Sequence, residues 1–190
     1  LPTARETAHR VYSSPLRLPS RQLAQLEREA LPNFLGTRRW FAGEGGEIER
    51  VEVVAQTELA NNGLLTLLRV HVDDESPEET GSQLYFLPLA AAWEGGTEED
   101  GVSVLLPHAL AKLRRRARMG LLFDAMADEQ FCRHVVETMG KDREVGIGEG
   151  RIRFSGTDVF GELVGEESVS ELSVRRAEVE QTNSSVILGE

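Results

Sequence analysis

The chain has 190 residues, enough for one domain or for one domain and part of another, of which 40% are hydrophobic and 28% are charged. Its 32 Asp and Glu against 21 Lys and Arg give a net charge of −11, which opposes non-specific binding to nucleic acid or anionic membranes. The single cysteine excludes an intrachain disulfide and a cysteine-based zinc site. No apolar run reaches the roughly 18 residues that span a bilayer. We therefore predict a soluble cytoplasmic protein.

The N-terminal part predicts an arm followed by a short helix. Residues 1–19 are polar and contain three prolines, which is typical of a linker or an extended arm. Ser20 is placed to cap a helix with one apolar stripe, and Pro32 is expected to end or kink it. The stripe consists of Leu23, Leu26, Ala30 and Leu31.

The segment RRWFAGEGG, residues 38–46, follows this helix. Its glycines suit either a phosphate-binding loop or a tight turn, and its arginines allow a cation–π stack on Trp40. Trp40 and Phe41 together bury a large apolar area when they pack. The residues therefore favour a structural corner, in which the two rings lock the helix against the first strand, over a ligand loop.

Consecutive strands are predicted after this corner, because the hydrophobic period falls to about two. A slip is expected at Glu49–Arg50, Asn61-Asn62-Gly63 is a turn signal, and Pro88 places the end of its strand at a sheet edge or a bulge. Joined by short loops, these strands form an antiparallel meander. They cover residues 48–59, 64–72, 83–91 and 102–106.

Two helices and three short strands are predicted in the rest of the chain. Residues 108–119 and 124–139 carry apolar residues at helical spacing, with Asp124 as the cap of the second helix and Gly140 as its stop. The fold class is therefore α+β, with an antiparallel sheet packed on helices. The short strands cover residues 151–154, 171–177 and 185–188.

The residues themselves give no strong catalytic site. The basic run at 112–118 lacks interleaved aromatic residues in an acidic chain, which favours a solvated helix face or ion pairs over nucleic-acid binding. The glycines of 146–150 lack the Lys-Ser/Thr of a Walker loop and precede a strand, which favours a turn between helix and strand.

Metal and nucleophile chemistry have equally weak support. The histidines lack the spacing of a zinc motif, and the acidic runs lack the alternating ligands of a calcium loop. Cys132 lies in the middle of a predicted helix beside Phe131 with no activating pattern. We predict no catalytic residue and no metal ligand in this chain.

Three separated stretches resemble one family. They are Leu31-Pro32-Asn33-Phe34-Leu35 with Arg39-Trp40-Phe41-Ala42-Gly43, then Leu84-Tyr85-Phe86-Leu87-Pro88-Leu89-Ala90, and then Val179-Glu180-Gln181-Thr182-Asn183-Ser184-Ser185-Val186. In this order they resemble the N-terminal region of bacterial maltokinases, including those fused behind a trehalose synthase. The set spans about residues 30 to 190.

The resemblance implies an ATP-dependent kinase that phosphorylates maltose at its anomeric position. Its fold is similar to aminoglycoside phosphotransferases, with a cystatin-like cap made of a curved antiparallel sheet against helices. The implied domains are the cap at 20–140 and, at 141–190, the remaining strands with the truncated start of the kinase N-lobe. The implied ATP-phosphate loop is Gln181, Thr182, Asn183, Ser184 and Ser185.

The same resemblance implies that this chain alone is inactive. A phosphoryl transferase needs a lysine on the phosphates and acidic residues that hold Mg²⁺, whereas the only lysines are Lys112 and Lys141 and neither follows the implied loop. The chain stops just after a predicted strand, so we expect a fragment whose catalytic parts lie beyond Glu190. Glu44 departs from the family, which commonly has lysine there.

Two alternatives stay open at this point. One is a stand-alone cystatin-like interaction module without catalytic history, and the other is the cap of a related kinase that acts on another sugar. The expected partners are the rest of a kinase in the same chain and a fused or associated trehalose synthase. ATP and Mg²⁺ are expected in the full-length parent and not in the fragment.

Overall fold

One helical segment precedes the sheet. The computed structural model describes residues 16, 18–41, 47–59, 63–73, 82–94, 103–164, 168–176 and 185–189. Helix α1 (Ser20–Gln25) continues through a π-helical segment (Leu26–Ala30) into helix α2 (Leu31–Gly36). The predicted cap at Ser20 is wrong, because Pro19 is the capping residue and no described side chain caps the helix. Pro32 does not end the helix, since α2 runs from Leu31 to Gly36, and the π-helical segment comes just before this proline, which cannot donate a backbone hydrogen bond.

Five strands form a curled antiparallel sheet in the order β1-β2-β3-β5-β4. The predicted meander of the first three strands is confirmed, and Leu59 at the end of β1 lies opposite Gly63 at the start of β2. Asn61 and Asn62 of the predicted turn lie outside the described residues. The strands are β1 (Glu47–Leu59), β2 (Gly63–Asp73), β3 (Ser82–Trp93), β4 (Ala109–Arg115) and β5 (Arg118–Asp124).

Pro88 marks a change along strand β3. Its N-terminal stretch pairs with β2 from Ser82 to Leu89, whereas pairing with β5 begins only at Leu89, opposite Asp124. Pro88 is therefore the last residue before β3 gains its second neighbour. A residue without a backbone N–H fits this position, because the stretch before Leu89 has an edge.

Strand β1 is irregular at two places, and the first is the slip predicted at Glu49–Arg50. The pairing register with β2 shifts between Ile48 and Arg50 and again between Val53 and Ala55. The second shift coincides with a hydrogen bond from the backbone N–H of Val53 to Oε1 of Glu27, 2.8 Å away. The π-helical segment is thus bonded to a bulge in the sheet.

The helix predicted at 108–119 is wrong, because this stretch forms strand β4, a turn and the start of β5. Its residues are mostly good helix formers, so local propensity favours a helix. Pairing overrides that propensity, since it buries Leu122 and Phe123 of β5 completely between β3 and β4. The strand predicted at 102–106 is also wrong over its described part, where a turn leads into a 3-10 helix (Leu106–His108).

The sheet separates two hydrophobic cores. Adjacent residues point to opposite faces, so Leu64 and Ala91 belong to one core while Leu65 and Ala90 belong to the other. Helices α1 and α2 cover the first face, together with Leu16 and Leu18, which are 7% and 8% exposed. Leu16 and Leu18 of the predicted arm therefore pack on the sheet, and residues 1–15 and 17 of that arm lie outside the described residues.

Helix α3 (Glu129–Gly140) covers part of the second face and ends at the predicted glycine. Its cap is Asp128, whose carboxylate accepts from the N–H of Gln130 at 3.0 Å. The predicted cap at Asp124 is wrong for this helix, since Asp124 caps the preceding 3-10 helix (Ala125–Ala127) instead. The 3-10 helix and α3 are separate elements because the backbone of Asp128, which lies between them, is extended.

Two short hairpins complete the described chain. Strands β6 (Glu144–Ile147) and β7 (Gly150–Arg153) are joined at Gly148, whose φ of +56° suits glycine. The glycine run is thus a turn, but between two strands and not between a helix and a strand. After helix α4 (Phe160–Val164), strands β8 (Val174–Arg176) and β9 (Val186–Leu188) form the second hairpin.

Candidate functional site

The implied phosphate loop lies at the connection between β8 and β9. Gln181, Thr182, Asn183 and Ser184 lie outside the described residues, while Ser185 is half-buried and directly precedes β9. Arg176 lies opposite Val186, so the segment between them joins two antiparallel strands. The structure therefore fixes the two ends of the connection that contains the implied loop, at Arg176 and Val186.

Two arginines bond the β8–β9 hairpin region to the rest of the molecule. Arg176 of β8 donates from Nε to the carbonyl oxygen of Met126 at 3.2 Å. Arg133 of α3 donates from Nε to the carbonyl oxygen of Leu172 at 2.9 Å, just before β8. The hairpin is thus held against the end of β5 and against α3.

The segment at residues 38–41 forms a structural corner, but its ring contacts are with β3, whereas the prediction placed them on the first strand. The rings of Trp40 and Phe41 pack on Tyr85 of β3, with centroid distances of 6.0 and 5.3 Å. The predicted stack of an arginine on Trp40 is replaced by another cation–π pair, in which Arg38 lies 4.0 Å from the ring centroid of Phe34. Residues 42–46, including Glu44, lie outside the described residues.

Arg38 also reaches a polar cluster behind this corner. Its Nη2 donates to the carbonyl oxygen of Pro107 at 2.9 Å, while its Nε is buried without a hydrogen-bond partner among the described residues. Burial lowers the pKa of Arg38, and the charge of Asp124 opposes that shift. The corner is therefore connected to the end of β5 through a half-buried guanidinium.

Asp124 is the acidic centre of this cluster. It is 7% exposed, and its Oδ1 accepts from the N–H of Met126 at 2.9 Å. Burial raises the pKa of Asp124, whereas that hydrogen bond and the charges of Arg38 and Arg176 oppose the rise. Nearby, burial and the same two arginines lower the pKa of His108. The cluster joins the corner, β5 and β8, which are far apart in the sequence.

An open groove of about 630 Å³ begins beside this cluster. It runs along the N-terminal stretch of β3, with Trp40 and Asp124 among its lining residues. Most of its wall is apolar, and α3 contributes Phe131, Val135 and Met139 to it. Such a wall fits an apolar protein segment better than a phosphate group.

A second groove, of about 810 Å³, lies on the other face between the N-terminal helices and β4. Its floor includes Leu26 and Trp93, and its rim carries Lys112, Arg114 and Arg115. The basic run predicted on a helix thus lies on an edge strand and its turn, where the side chains are exposed. Charged side chains on an edge strand prevent unwanted strand pairing.

Cys132 and two of the described histidines interact with neighbouring residues. Cys132 is 3% exposed, and burial raises the pKa of its thiol to about 11, so it is a poor nucleophile. His71 lies 3.5 Å from Glu52 and His134 lies 3.8 Å from Glu137. Within the described part of the chain, no three acidic, histidine or cysteine side chains converge as a metal would require.

Sequence reasoning missed both the groove and the Arg38–Asp124 cluster. The groove combines β3 with a helix and a hairpin that the periodicity does not place beside it. One signal was present, namely that the stretch Ser82–Pro88 has no charged residue in a chain that is 28% charged. No comparable signal links Arg38 to Asp124.

The comparisons with known proteins concern the sheet. Residues 34–128, which are 95 of the 190 residues, match the profile of the maltokinase N-terminal cap domain family. This range runs from Phe34 through all five strands to the cap residue of α3. No curated protein sequence matches the chain significantly. In the described residues, no helix is long and apolar enough to cross a membrane.

Proposed function

Because the chain belongs to the maltokinase N-terminal cap domain family, we propose that it is the cap, with the first N-lobe strands, of an ATP-dependent maltokinase. The parent enzyme transfers the terminal phosphoryl group of ATP to the anomeric hydroxyl of maltose, which gives maltose 1-phosphate. The observation that carries this proposal is the family match over the whole five-stranded sheet. In this proposal the sheet with its helices is the cystatin-like cap.

The cap has a defined task in this proposal, which is to position the phosphate loop. Strands β8 and β9 are the first two strands of the kinase N-lobe, and the segment that includes Gln181–Ser185 covers the ATP phosphates. The bond from Arg176 to the carbonyl of Met126 joins that hairpin to the last cap residues. A fixed hairpin holds the loop ready for the phosphates and so lowers the entropy cost of binding ATP.

The proposed loop needs further parts to act on ATP. A phosphoryl transferase uses a lysine on the phosphates and acidic residues that hold Mg²⁺, and neither Lys112 nor Lys141 follows the loop. We therefore assign the lysine, the metal ligands and the catalytic base to the kinase body, and we propose that the 190-residue chain is non-catalytic by itself.

The test is a kinase assay on the intact reading frame that contains this sequence. We expect ATP-dependent formation of a phosphorylated sugar with maltose, identified by phosphorus NMR as the 1-phosphate, and none with the 190-residue chain. Phosphorylation of another sugar in place of maltose supports the cap of a related kinase. No phosphorylation of any sugar contradicts the proposal and favours an interaction module. The upstream sequence of the same frame shows whether a trehalose synthase domain precedes the cap.

Two adjacent arginines test the proposed positioning of the loop in the intact kinase. Arg176→Ala removes the bond to Met126, so we expect a higher KM for ATP and an unchanged KM for maltose. Arg175→Ala is the matched control, because Arg175 donates to the carbonyl oxygen of Gly189 within the hairpin itself. If both variants change the KM for ATP equally, the link to the cap has no positioning role.

A further inference from the structure

The groove between the N-terminal helices and β4 has a floor of apolar side chains that belong to the first core or pack on it. Leu26 and Ala91 are buried in that core, and Trp93 and Leu113 pack against it. All four line the groove, whose volume is about 810 Å³. Sites for small molecules have volumes of this order, and they are mostly apolar with a few polar groups that orient the ligand.

Gly120 of β5 lets the indole ring of Trp93 lie close to the sheet in this floor. The glycine lies opposite both Trp93 of β3 and Leu113 of β4, so the three residues form one row across the sheet. A Cβ atom at Gly120 would lie 2.9 Å from the ring of Trp93, which therefore occupies the space that a side chain here would need. The groove thus has an aromatic ring in its floor.

Cations stand along one wall of this groove. Lys112, Arg114 and Arg115 of β4 line it, and all three are exposed. The Nε of Arg114 donates to the carbonyl oxygen of Arg116 at 3.3 Å, which ties that guanidinium to the turn. Arg115 lies two residues after Leu113 and so shares its face of the strand. Within the described part of the chain, the side chain of Arg115 has no hydrogen bond or ion pair.

The turn after β4 brings like charges together. Arg115 lies directly opposite Arg118, and like charges in such a cross-strand pair destabilise it. Between them, Arg116 has a φ of +57°, a backbone conformation that favours glycine or asparagine over arginine. Residues 112–118 contain five basic and no acidic residues, although the whole chain has a net charge of −11. An anion bound beside Arg115 offsets this local repulsion.

The net charge of the chain limits the size of that anion. It opposes nucleic acid, an anionic membrane or an acidic protein, because each of these extends beyond the basic wall and meets the acidic remainder of the surface. A small anion stays beside the wall, and charges farther away than about 8 Å are largely screened at physiological ionic strength. The charges therefore favour a small molecule with one anionic group.

We propose that this groove binds a small amphipathic anion, whose apolar body lies on the floor formed by Leu26 and Trp93 and whose anionic head is bound by Arg115. Lys112 adds positive charge on the same wall. Arginine binds carboxylate and phosphate heads alike through two parallel N–H bonds. The groove lies on the other face of the sheet from the one that begins beside Asp124, and the proposal does not depend on kinase activity.

The first test uses three probes with the same hydrocarbon chain, namely decanoate, decyl phosphate and the uncharged decyl glucoside, each below its micelle concentration. In isothermal titration calorimetry of the 190-residue chain, we expect a single bound equivalent of decanoate or of decyl phosphate. Decyl glucoside should bind about tenfold more weakly or less, because it lacks the bond to the guanidinium. The tighter of the two anions identifies the head group. Equal affinity for the uncharged probe, or binding of many equivalents, overturns the proposal.

The two tryptophans of the chain locate the bound probe without a substitution in the groove. Trp93 lines this groove, whereas Trp40 lines the groove of about 630 Å³ on the other face. In a nitrogen–proton correlation NMR spectrum, the indole signal of Trp93 is expected to shift saturably with decanoate, while that of Trp40 stays in place. Trp40→Phe assigns the two signals. A shift of the Trp40 signal equal to or larger than that of Trp93 overturns the proposed place.

Charge variants with the same net charge identify the head-group contact. Arg115→Glu is expected to weaken decanoate binding about tenfold or more, because it replaces the guanidinium with a like-charged group. Arg143→Glu is the matched control, since Arg143 is exposed and does not line the groove. Equal weakening by the two substitutions means that only the general charge matters, and it overturns the assignment of Arg115.

Arg118→Glu separates binding from folding. It places a carboxylate opposite Arg115, so the free chain is expected to have a higher urea midpoint than the parent. The same carboxylate competes for the guanidinium, so decanoate should bind about tenfold more weakly. A loss of affinity in a more stable chain cannot come from unfolding. Unchanged affinity for decanoate in this variant contradicts the proposed site.

Discussion

The carboxylate of Glu27 accepts a hydrogen bond from the backbone N–H of Val53, with 2.8 Å between the two atoms. Both residues stand where regular structure is interrupted, Glu27 in the π-helical segment and Val53 at the register shift of β1. A bulge frees a backbone donor, and a side chain from the packed helix accepts from it. This bond therefore adds a directional contact between the helix and the sheet, which also pack together through the first core.

Replacing Glu27 is expected to weaken the fold locally. Glu27→Ala leaves the half-buried N–H of Val53 without its acceptor, which costs about 1 kcal/mol in the free energy of unfolding. Glu27→Gln keeps an acceptor oxygen and is expected to cost less. Glu29→Ala is the matched control, because its carboxylate bonds the exposed neighbouring Arg28. Urea denaturation followed by circular dichroism measures all three, and equal midpoints for Glu27→Ala and Glu29→Ala contradict the role of the bond.

Gly63 is expected to tolerate no side chain, since β1, β2 and α3 meet there. A Cβ atom at this position would lie 2.6 Å from the carbonyl oxygen of Leu59 and 2.8 Å from the ring of Phe131. Gly63→Ala is therefore expected to lower the free energy of unfolding by about 2 kcal/mol or more.

The control for this substitution is Gly146→Ala in β6. An added Cβ there has nothing within 4 Å, so the substitution is expected to be neutral or slightly stabilising. Denaturation of the two variants and the parent chain under the same conditions gives the comparison. A loss for Gly146→Ala as large as that for Gly63→Ala shows that the backbone, and not the contact with Phe131, decides the effect.

The sheet could be predicted where local pattern and pairing agree. In β1 to β3, a hydrophobic period of two coincides with a turn signal before Gly63, so three neighbouring strands follow from the sequence. At residues 109–115 the same reasoning failed, because the residues are helix formers and only pairing with β5 makes them a strand. The burial of Phe123 depends on residues far along the chain, which a local window does not contain.

The candidate site could be predicted even less. The corner of Trp40 and Phe41 follows from the size of two adjacent aromatic rings, although their partner Tyr85 does not. A stack of one of the two arginines on Trp40 was feasible from the sequence, yet Arg38 lies over Phe34, four residues before it in the chain. The electrostatic influence of its charge on the pKa of Asp124 depends on the sheet order, which only the folded chain establishes.

Cys132 is expected to be unreactive until the chain unfolds. With a thiol pKa of about 11, the thiolate fraction near neutral pH is far below that of a free cysteine, and the residue is 3% exposed. Titration with a chromogenic disulfide reagent at about pH 8 should therefore show slow reaction for the folded chain and fast reaction in denaturant.

An introduced thiol gives the matched control for that measurement. In a Cys132→Ala background, Met119→Cys places a thiol at a position that is 39% exposed, and it should react quickly in the folded chain. Fast stoichiometric reaction of Cys132 in the parent chain means that the second core opens frequently around α3. The same titration then reports the rate of that opening.

Asp124 is expected to make the stability of the chain depend on pH with a defined sign. Burial raises its pKa in the folded state above the usual value near 3.9, so the folded state holds the proton more firmly than the unfolded state. Stability from this group is therefore present at low pH and is lost as the pH rises through the folded-state pKa. The comparison is with Asp124→Asn, which keeps an oxygen that can accept from Met126. The free energy of unfolding of the parent chain minus that of this variant should be larger at about pH 4 than at about pH 7.

Removing Arg38 is expected to enlarge the pH effect of Asp124. The positive charge of Arg38 opposes the rise in the pKa of Asp124, so the pKa should rise further in an Arg38→Met background. The difference in unfolding free energy between chains with and without the Asp124→Asn substitution should then change over a wider pH range. Urea denaturation at several pH values in both backgrounds measures it. If the parent chain instead gains stability relative to Asp124→Asn as the pH rises, the charges of Arg38 and Arg176 outweigh burial. The pKa of Asp124 is then lowered in the folded state, and the cluster is an ion-pair network.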